Sequence, residues 1–250
     1  MWLVPMVEEL AGSYPATPGR TFSAQELLEN ELEQRYQRHS GLHKDVTFEF
    51  TRDPALLQQY YDLRWRMYTQ KWGLEHFPTG PDEFDERGMM LIARKDKLVV
   101  AGIRMLIRSP RSNKPLQIEA DGIDLRHHLP DLCLDRVSYC ELSRFARLPE
   151  YRGPEFAVQI NRALKRKAIA HGVKYGFVLS PRSQARSYRL INQHEGESYV
   201  ICDQVPIPDH EDFEGIRMVL SYFVYPDHFV GEDEYGIMHT ADESIMLELP

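Results

Sequence analysis

The sequence predicts an α/β fold built on one mixed sheet. Short runs rich in β-branched and aromatic residues alternate with longer segments whose apolar residues recur at helical spacing. Their order along the chain is strand, helix, two or more strands, helix, strand, helix, strand, which is the pattern of an α/β protein. At 250 residues, 42% of them hydrophobic and 27% charged, the chain is long enough for one domain with appendages.

The elements of this domain follow from periodicity and from capping residues. Strands are predicted at Thr47–Phe50, Met89–Ala93, Leu98–Ile107, Val137–Phe145, Tyr175–Leu179, Tyr199–Cys202 and Ile216–Val224. Helices are predicted at Phe156–His171, at Ser183–Asn192, and from a cap at Asp53 to about Tyr68. The segment Thr69–Gly88 is rich in glycine, proline and acidic residues, and it is predicted to be a long loop.

Two appendages flank the predicted domain, which spans residues 46–225. Residues 1–45 form an N-terminal extension in which Ser23 and Glu26 make a capping-box pattern. One amphipathic helix is predicted after this cap, with its apolar stripe at Leu28, Leu32 and Tyr36. Residues 226–250 form an acidic C-terminal tail.

Composition also limits the class of protein. No stretch approaches the roughly 18 uninterrupted apolar residues of a membrane span, so we expect no membrane span. The three scattered cysteines, Cys133, Cys140 and Cys202, predict a reducing compartment, and we expect the protein in the cytoplasm. His127 and His128 near Cys133 have no spacing typical of a metal site, so no metal is predicted.

Charge is distributed unevenly along the chain. The basic segment, residues 156–194, contains no acidic residue and eight basic ones, whereas the whole chain has a net charge of −8. Such a segment can direct one acidic partner to one face of the protein, although a solvated helix face is the alternative interpretation. The negative net charge and the lack of a recognisable reader motif argue against nucleic-acid binding.

The sharpest local motif is Glu141-Leu142-Ser143-Arg144-Phe145, on a predicted central strand. Because side chains alternate along a strand, Glu141, Ser143 and Phe145 should share one face, with Leu142 and Arg144 on the other. Charged residues on a central strand are costly unless they are paired. Upstream charges offer partners, and the two signs balance: Arg64, Arg104 and Arg144 against Asp82, Asp85 and Glu141. An ion network that only fixes the loop is the alternative interpretation.

These residues resemble the acyl-homoserine lactone synthases. In the same order as in that family, the chain has Leu63-Arg64 with Tyr68, Trp72, Asp82-Glu83-Phe84-Asp85, Gly102-Ile103-Arg104, and Glu141-Leu142-Ser143-Arg144-Phe145. The resemblance covers about residues 47–224. It implies a GNAT-like three-layer fold, with a central mixed, mostly antiparallel sheet flanked by helices.

The resemblance also implies an activity. A fatty acyl group would pass from acyl carrier protein to the amine of S-adenosylmethionine, a substrate, with no cofactor, giving an N-acyl-homoserine lactone. The residues implied in catalysis are Glu141, Ser143 and Arg144. The residues implied in acceptor binding are Arg64, Tyr68, Trp72, Asp82, Asp85 and Arg104.

Three departures concern the acceptor. Tyr68 stands where the synthases usually have phenylalanine, and both appendages are extra. Two groups of relatives share the motifs without making lactones: the N-acyl amino acid synthases and the exosortase-associated acyltransferases. In the second group a tyrosine at this position and a motif like Pro115–Glu119 are familiar. An amino acid or another small amine is therefore the alternative acceptor, and a module that only binds a carrier protein or lipid is the non-enzymatic alternative.

The chemistry itself follows from physical argument. An amine must be neutral to attack a thioester, and Glu141 is the candidate base, directly or through a water. Backbone N–H groups near Arg144 and Phe145 are candidates to bind the thioester oxygen as it gains charge. Tyr68 and Trp72 are candidates to pack against a cationic acceptor.

The donor is predicted from a turn and from charge. The turn at residues 150–155 has one glycine and a proline, so it is a poor cradle for the pyrophosphate of coenzyme A. Acyl carrier protein is strongly acidic and suits the basic segment. The predicted docking residues are Arg162, Lys165, Arg166 and Lys167.

Overall fold

The computed structural model describes residues 45–208, 213 and 215–226. The predicted N-terminal helix and the acidic tail lie outside these residues. The strands are β1 (Val46–Thr51), β2 (Met89–Lys95), β3 (Leu98–Arg108), β4 (Ser138–Arg147), β5 (Val173–Pro181), β6 (Tyr199–Cys202) and β7 (Met218–Val224). The helices are α1 (Pro54–Trp72), α2 (Gln117–Ala120), α3 (Leu125–His128), α4 (Pro154–Ala170) and α5 (Arg182–His194), with a 3₁₀ turn at Pro130–Leu132.

All seven strands form one sheet in the order β1-β2-β3-β4-β5-β7-β6. Among the strand pairs of the described residues, only β4 and β5 are parallel, and every other pair is antiparallel. Along β2, Met90 and Ile92 pack on the α1 side, whereas Leu91 and Ala93 pack on the α4 side. The alternation places helices on both faces of the sheet. The predicted three-layer architecture with a mixed, mostly antiparallel sheet is confirmed.

Helix α1 is longer than predicted. The Asp53 carboxylate accepts the N–H groups of Ala55 (2.8 Å) and Leu56 (3.4 Å), which fixes the start of the helix. The helix ends at Gly73, whose φ of 70° suits the left-handed conformation that closes a helix. Because no helix-breaking residue occurs before Gly73, the helix continues past Tyr68. The prediction that Trp72 lies in a loop was wrong: it is the last residue of α1.

The connection between β3 and β4 contains α2, α3 and the 3₁₀ turn, none of which was predicted. Each has only three or four residues, too few to show helical periodicity in the sequence. Leu116, Ile118 and Leu125 nevertheless bury their side chains in one cluster with Leu106 of β3. The connection therefore packs firmly on the sheet.

Strands β4 and β5 pair only at their beginnings. Residues Ser138–Glu141 are aligned with Val173–Phe177, and no pairing continues beyond Glu141. Strand β5 instead goes on pairing with β7 as far as Pro181. The two parallel strands thus diverge after Glu141, and a wedge-shaped opening forms between them.

A β-bulge lies in β4 beside this opening. Ser143 pairs with Arg104 and Ala146 with Gly102, so Arg144 and Phe145 together face a single residue of β3. Arg144 has a φ of 60°, which is uncommon for a residue other than glycine. The extra residue interrupts the alternation of the strand.

The bulge overturns part of the predicted facing. Phe145 packs in the α4-side cluster that contains Leu142, and it does not share a face with Glu141 and Ser143 as predicted. Arg144 was predicted to lie with Leu142, but its side chain contacts Asp82 on the side of Ser143. Strict alternation holds only as far as Ser143, because the residue inserted there exchanges the two faces.

Tyr60 of α1 forms a hydrogen bond with the bulge in β4. Its hydroxyl donates a 2.6 Å hydrogen bond to the carbonyl oxygen of Arg144, and its side chain is fully buried. A Cβ atom at Gly102 would lie 2.3 Å from the Tyr60 ring, which is closer than any real contact. The glycine therefore provides the space in which Tyr60 reaches the bulge.

Tyr60→Phe should lower the free energy of unfolding by about 1–2 kcal/mol, because the buried Arg144 carbonyl loses its donor. Urea denaturation measures the change. Tyr61→Phe is the matched control, since Tyr61 packs in the same cluster and its hydroxyl has no comparable role at the bulge. Equal losses in the two variants would contradict a role of the Tyr60 hydroxyl in supporting the bulge.

Candidate active site

Arg104 is the centre of a buried polar network. It is 0% exposed, and its guanidinium group is surrounded by acceptors from three parts of the chain. Nη1 binds the Asp82 carboxylate and Asp85 Oδ1 (2.8 Å), while Nε donates to Ser143 Oγ (3.2 Å). Nη2 donates to the side-chain oxygen of Gln117. A buried cation of this kind is stable only because each side of it meets an acceptor.

Two further arginines complete the network. Arg64 of α1 binds Asp85 Oδ2 through Nη1 (2.9 Å) and donates to the Gly80 carbonyl oxygen through Nη2 (2.5 Å). Arg144 of the bulge binds Asp82 Oδ2 through Nε (3.1 Å). Three arginines and two aspartates from a helix, a loop and two strands thus meet on one side of the sheet.

The two aspartates also fold the loop that carries them. Asp85 Oδ2 accepts the N–H of Asp82 (2.9 Å), and Asp82 Oδ1 accepts the N–H groups of Phe84 (3.0 Å) and Asp85 (3.1 Å). Burial opposes ionisation of Asp82, but the adjacent guanidinium groups outweigh it and lower its pKa. The lowered pKa favours the anionic form of Asp82.

Glu141 stands apart from these ion pairs. It lies on β4 where the strand leaves β5, it is 2% exposed, and its Oε2 accepts the N–H of Ile118 (3.1 Å). Burial raises the pKa of Glu141, although Arg104, the Ile118 N–H and the Ser143 hydroxyl favour the ionised form. A carboxylate with a raised pKa accepts a proton more readily than an exposed glutamate does.

A cleft opens between the diverging strands and encloses about 1130 Å³ of empty space, part of it open to solvent. Of the nine residues predicted for catalysis and acceptor binding, five line it: Tyr68, Trp72, Glu141, Ser143 and Arg144. The other four lie behind its wall, in the ion network: Arg64, Asp82, Asp85 and Arg104. The predicted site residues thus fall into two groups: those that line the cleft, and those in the ion network behind its wall.

Most of the cleft surface is apolar, and its apolar wall includes Leu142, Phe145, Ile160, Leu164, Leu179 and Phe223. Two buried polar side chains, Ser180 and Asn192, also line the cleft. Asn192 Nδ2 donates to its own helix at Tyr188 (2.8 Å), but its Oδ1 and the Ser180 hydroxyl have no hydrogen-bond partner within the described part of the chain. The cleft can therefore hold a long apolar group that also carries polar atoms.

An aromatic wall lies at the α1 side of the cleft. The Tyr68 ring stacks on Phe77 (4.3 Å between centroids) and on Trp72 (5.5 Å). The Arg144 guanidinium lies 5.0 Å from the centroid of Phe77 and 5.8 Å from that of Phe213. Stacked aromatic faces of this kind attract cations.

Two of the four predicted docking residues are neutralised within the chain. Arg162 of α4 binds Glu195 Oε2 (2.9 Å), and Lys165 binds the Glu197 carboxylate. Lys167 Nζ lies 5.3 Å from the centroid of the Phe50 ring, and Arg166 is half-buried.

Helix α5 presents other basic residues to solvent. Arg186 and Arg189 are exposed, and neither forms an ion pair with another residue that the structure describes. The opposite face of α5 lines the cleft through Tyr188 and Asn192. The positive charges of Arg186 and Arg189 thus lie on a helix that borders the cleft.

Sequence reasoning missed the contribution of α2 to the site. Gln117, Ile118 and Asp121 line the cleft, and the first two bind Arg104 and Glu141 directly. The motif Pro115–Glu119 was the only sequence feature that pointed to this segment, and it did so through resemblance alone.

Residues 45–208, 213 and 215–226 offer neither a metal site nor a membrane-spanning helix. They contain no group of three histidine, cysteine or acidic side chains able to hold a metal ion. None of their helices is long and apolar enough to cross a membrane.

Comparison with known proteins shows the fold. No protein-family model matches the sequence, and no curated protein is significantly similar to it. Solved structures do match the architecture. The fold is that of the GNAT-like acyltransferases. The similarity extends over most of the chain, but sequence identities are low.

Three of these structures differ in what they are described to make or use. FeeM, an N-acyl amino acid synthase from uncultured soil microbes, is 11% identical, covers 73% of this chain and 91% of its own, and has a TM-score of 0.50. The acyl-homoserine lactone (AHL) synthase LasI is 15% identical, with 72% and 90% covered and a TM-score of 0.50. A protein from Lactobacillus plantarum assigned as an N-acetyltransferase is 16% identical, with 73% and 100% covered and a TM-score of 0.51. The fold thus occurs in proteins with different described activities, and it does not determine an activity by itself.

Asp85→Asn should lower the free energy of unfolding by about 3–5 kcal/mol, because it leaves Arg64 and Arg104 buried with too little negative charge. Asp62→Asn is the matched control, since Asp62 is an exposed aspartate on α1. It should change stability by less than about 0.5 kcal/mol. Denaturation curves for both variants measure the difference, and a loss no larger than the control's would contradict the central role of the network.

Proposed function

We propose that the protein is an N-acyltransferase that moves a fatty acyl group from acyl carrier protein to the amine of S-adenosylmethionine, giving an N-acyl-homoserine lactone. One observation supports this most strongly. A buried carboxylate with a raised pKa, Glu141, lies at the point where β4 and β5 diverge and lines a large, mostly apolar cleft. This arrangement suits proton removal from an amine beside a bound acyl chain.

The acyl-transfer step forms one amide bond and breaks one thioester. Lactone closure forms one carbon–oxygen bond, as the carboxylate oxygen of the acylated S-adenosylmethionine attacks its own γ-carbon, and breaks the bond from that carbon to the sulfonium sulfur, so that methylthioadenosine leaves. In the acyl-transfer step the neutral amine nitrogen attacks the thioester carbonyl carbon, the carbon–sulfur bond breaks, and the thiol of the carrier protein leaves. Glu141 takes the proton that the nitrogen loses, and this proton then passes to the departing sulfur. A well-placed base of this kind contributes about 10²- to 10⁴-fold in rate.

The bulge suits stabilisation of the oxygen that gains charge during this attack. Arg144 and Phe145 are out of one-to-one pairing with β3, and both residues line the cleft next to Glu141. Backbone N–H groups at a fixed bulge need no rearrangement when the charge develops. The loss of one such donor typically costs about 3 kcal/mol of transition-state stabilisation.

The aromatic wall is the proposed contact for the acceptor. Tyr68 and Trp72 are stacked and line the cleft, so their faces suit the sulfonium of S-adenosylmethionine. The resemblance implies that Asp82 and Asp85 take part in acceptor binding, and arginines behind the wall bind both carboxylates. We therefore propose that the two aspartates act on acceptor binding indirectly, by holding Arg104 and Arg144 in place.

A free amino acid is the second candidate acceptor. Arg144 lines the cleft, and a guanidinium binds carboxylates well. Every amino acid offers a carboxylate, whereas only S-adenosylmethionine also offers a sulfonium to the aromatic wall. Because Trp72 is half-buried at that wall and suited to a cation, S-adenosylmethionine remains the preferred acceptor.

Acyl carrier protein is the proposed donor. With Arg162 and Lys165 neutralised by Glu195 and Glu197, we place the main contact on the exposed face of α5. This face carries Arg186 and Arg189 and borders the cleft that would receive the acyl chain. We place the reaction in the cytoplasm, in agreement with the three free cysteines of the described chain.

Product identification tests the proposal. Purified protein is incubated with carrier proteins that bear acyl chains of several lengths, and with either S-adenosylmethionine or a mixture of amino acids. Mass spectrometry should detect an N-acyl-homoserine lactone together with released methylthioadenosine. An N-acyl amino acid would move the assignment to the second acceptor, and no acyl amide in either mixture would contradict the acyltransferase proposal.

Glu141→Gln should lower turnover by about 10²-fold or more, because the amide cannot take the proton. In the wild-type protein kcat/KM should increase with pH along an acid limb, since only the ionised Glu141 accepts a proton. The acid limb should lie at a higher pH than the ordinary pKa of a glutamate would give, because burial raises the pKa of Glu141. Glu150→Gln, an exposed change in the same region, is the control. Turnover of Glu141→Gln within a few-fold of wild type would exclude the base role.

Reversing Arg186 and Arg189 to glutamate should raise the KM for acyl carrier protein by about tenfold at low salt, with little change in kcat. The difference should shrink at high ionic strength, because exposed charges are screened. The control is the double reversal of Arg66 and Arg126, which are exposed on α1 and α3 and give the same change in net charge. Docking elsewhere is indicated if both double variants raise KM equally.

A further inference from the structure

Glu119 is a charged residue that the proposed reaction does not use. It does not line the cleft, yet its carboxylate joins three parts of the protein. Oε2 accepts the N–H of Leu116 (2.8 Å) and pairs with Arg108 Nη1 (2.5 Å) at the end of β3. Oε1 accepts the hydroxyl of Tyr139 (2.9 Å) at the start of β4. The carboxylate thus attaches α2 to the two strands that carry Arg104 and Glu141.

The two residues before Glu119 make direct contacts with the candidate site. The Ile118 N–H donates to Glu141 Oε2 (3.1 Å). The Gln117 side-chain oxygen accepts from Arg104, whose other donors bind the loop and Ser143. Both contacts require α2 to lie close against β4 with its chain direction fixed.

A four-residue helix cannot fix its own position. Isolated helices shorter than about 12 residues are marginal in water, so α2 depends on its anchors. Its own cap is the Glu119 carboxylate on Leu116, and the same carboxylate provides the polar links to Arg108 and Tyr139. If this carboxylate is removed, the cap and both strand links are lost together.

We propose that Glu119 is a positioning residue: it holds α2 against β3 and β4, so that the Ile118 N–H orients the Glu141 carboxylate and Gln117 holds Arg104. The proposal rests on the proposed function, in which Glu141 takes the proton of the amine. Glu119 itself touches neither substrate.

The ionisation of Glu141 reports on this arrangement. Charged groups face it from several sides: Arg104 from β3, Arg87 from the loop before β2, and Asp121 from the end of α2. The Ile118 N–H favours the ionised form against burial. If α2 moves away, this donor is lost and the pKa of Glu141 rises further. The acid limb of kcat/KM then shifts to higher pH, because the base must be ionised to act.

The kinetic experiment compares three variants by their pH profiles. In Glu119→Ala the acid limb should move up by about one pH unit, on the scale of one hydrogen bond to a carboxylate. Glu119→Gln should restore most of the wild-type profile, since its side-chain oxygen can still accept the Leu116 N–H while its amide nitrogen donates to the Tyr139 hydroxyl oxygen. Asp124→Ala is the control, because Asp124 caps the next short helix by accepting the His127 N–H (3.0 Å) and has no contact with Glu141. A wild-type limb in Glu119→Ala would overturn the proposal.

A second measurement does not depend on activity. In protein labelled with ¹⁵N-isoleucine, the Ile118 amide, assigned by its loss in Ile118→Val, should shift with pH as Glu141 ionises. The shift should disappear in Glu141→Gln, and in Glu119→Ala it should weaken and move to higher pH. An unchanged titration in Glu119→Ala would contradict positioning even if no acyl transfer is found. That lack of transfer would instead contradict the proposed function.

Tyr139→Phe provides a milder test if Glu119→Ala does not fold. It removes one of the links to Glu119 and leaves the cap and Arg108 in place. Both readouts should move in the same direction as in Glu119→Ala, but by less. No movement in either readout would overturn the proposal.

Discussion

The burial of one guanidinium group, that of Arg104, constrains the rest of this structure. A cation with no exposed surface must meet acceptors on every side, and here they come from the loop after α1, from α2 and from β4. The loop and α2 are not strands of the sheet, so the contacts with Arg104 help to fix where they lie on it. The buried charge of Arg104 thus helps to fix the positions of the loop and of α2, as backbone hydrogen bonds fix the positions of paired strands.

The cleft depends on a second constraint, the divergence of β4 and β5 after Glu141. Parallel pairing stops there, and the bulge at Arg144 turns the following residues away from regular alternation. Backbone groups and side chains of β4 therefore face an open space in the middle of a sheet. The same few residues connect this opening to the ion network, since Ser143 and Arg144 contact both.

Much of the fold could be predicted from the sequence, because strands and long helices leave periodic patterns. The pairing of Asp82 and Asp85 with arginines could also be expected, since uncompensated charges do not persist on a central strand. The positions of Trp72 and Phe145 could not be predicted. The position of Trp72 depends on where α1 ends. The position of Phe145 depends on the positive φ of Arg144, and an arginine in the sequence does not predict a positive φ. Helix α2 was too short to leave any pattern, so Gln117 and Ile118 were missed.

The contact between Tyr60 and Gly102 has a consequence for how this sequence can change over time. A side chain at position 102 is excluded while the ring of Tyr60 is present, and Tyr60 in turn supports the Arg144 carbonyl. Neither position can vary independently of the other, so the pair is epistatic. A lineage that replaced the glycine first would pass through a poorly folded intermediate. One that replaced the tyrosine first would lose the support of the bulge, and the two positions are therefore expected to persist together or to change together.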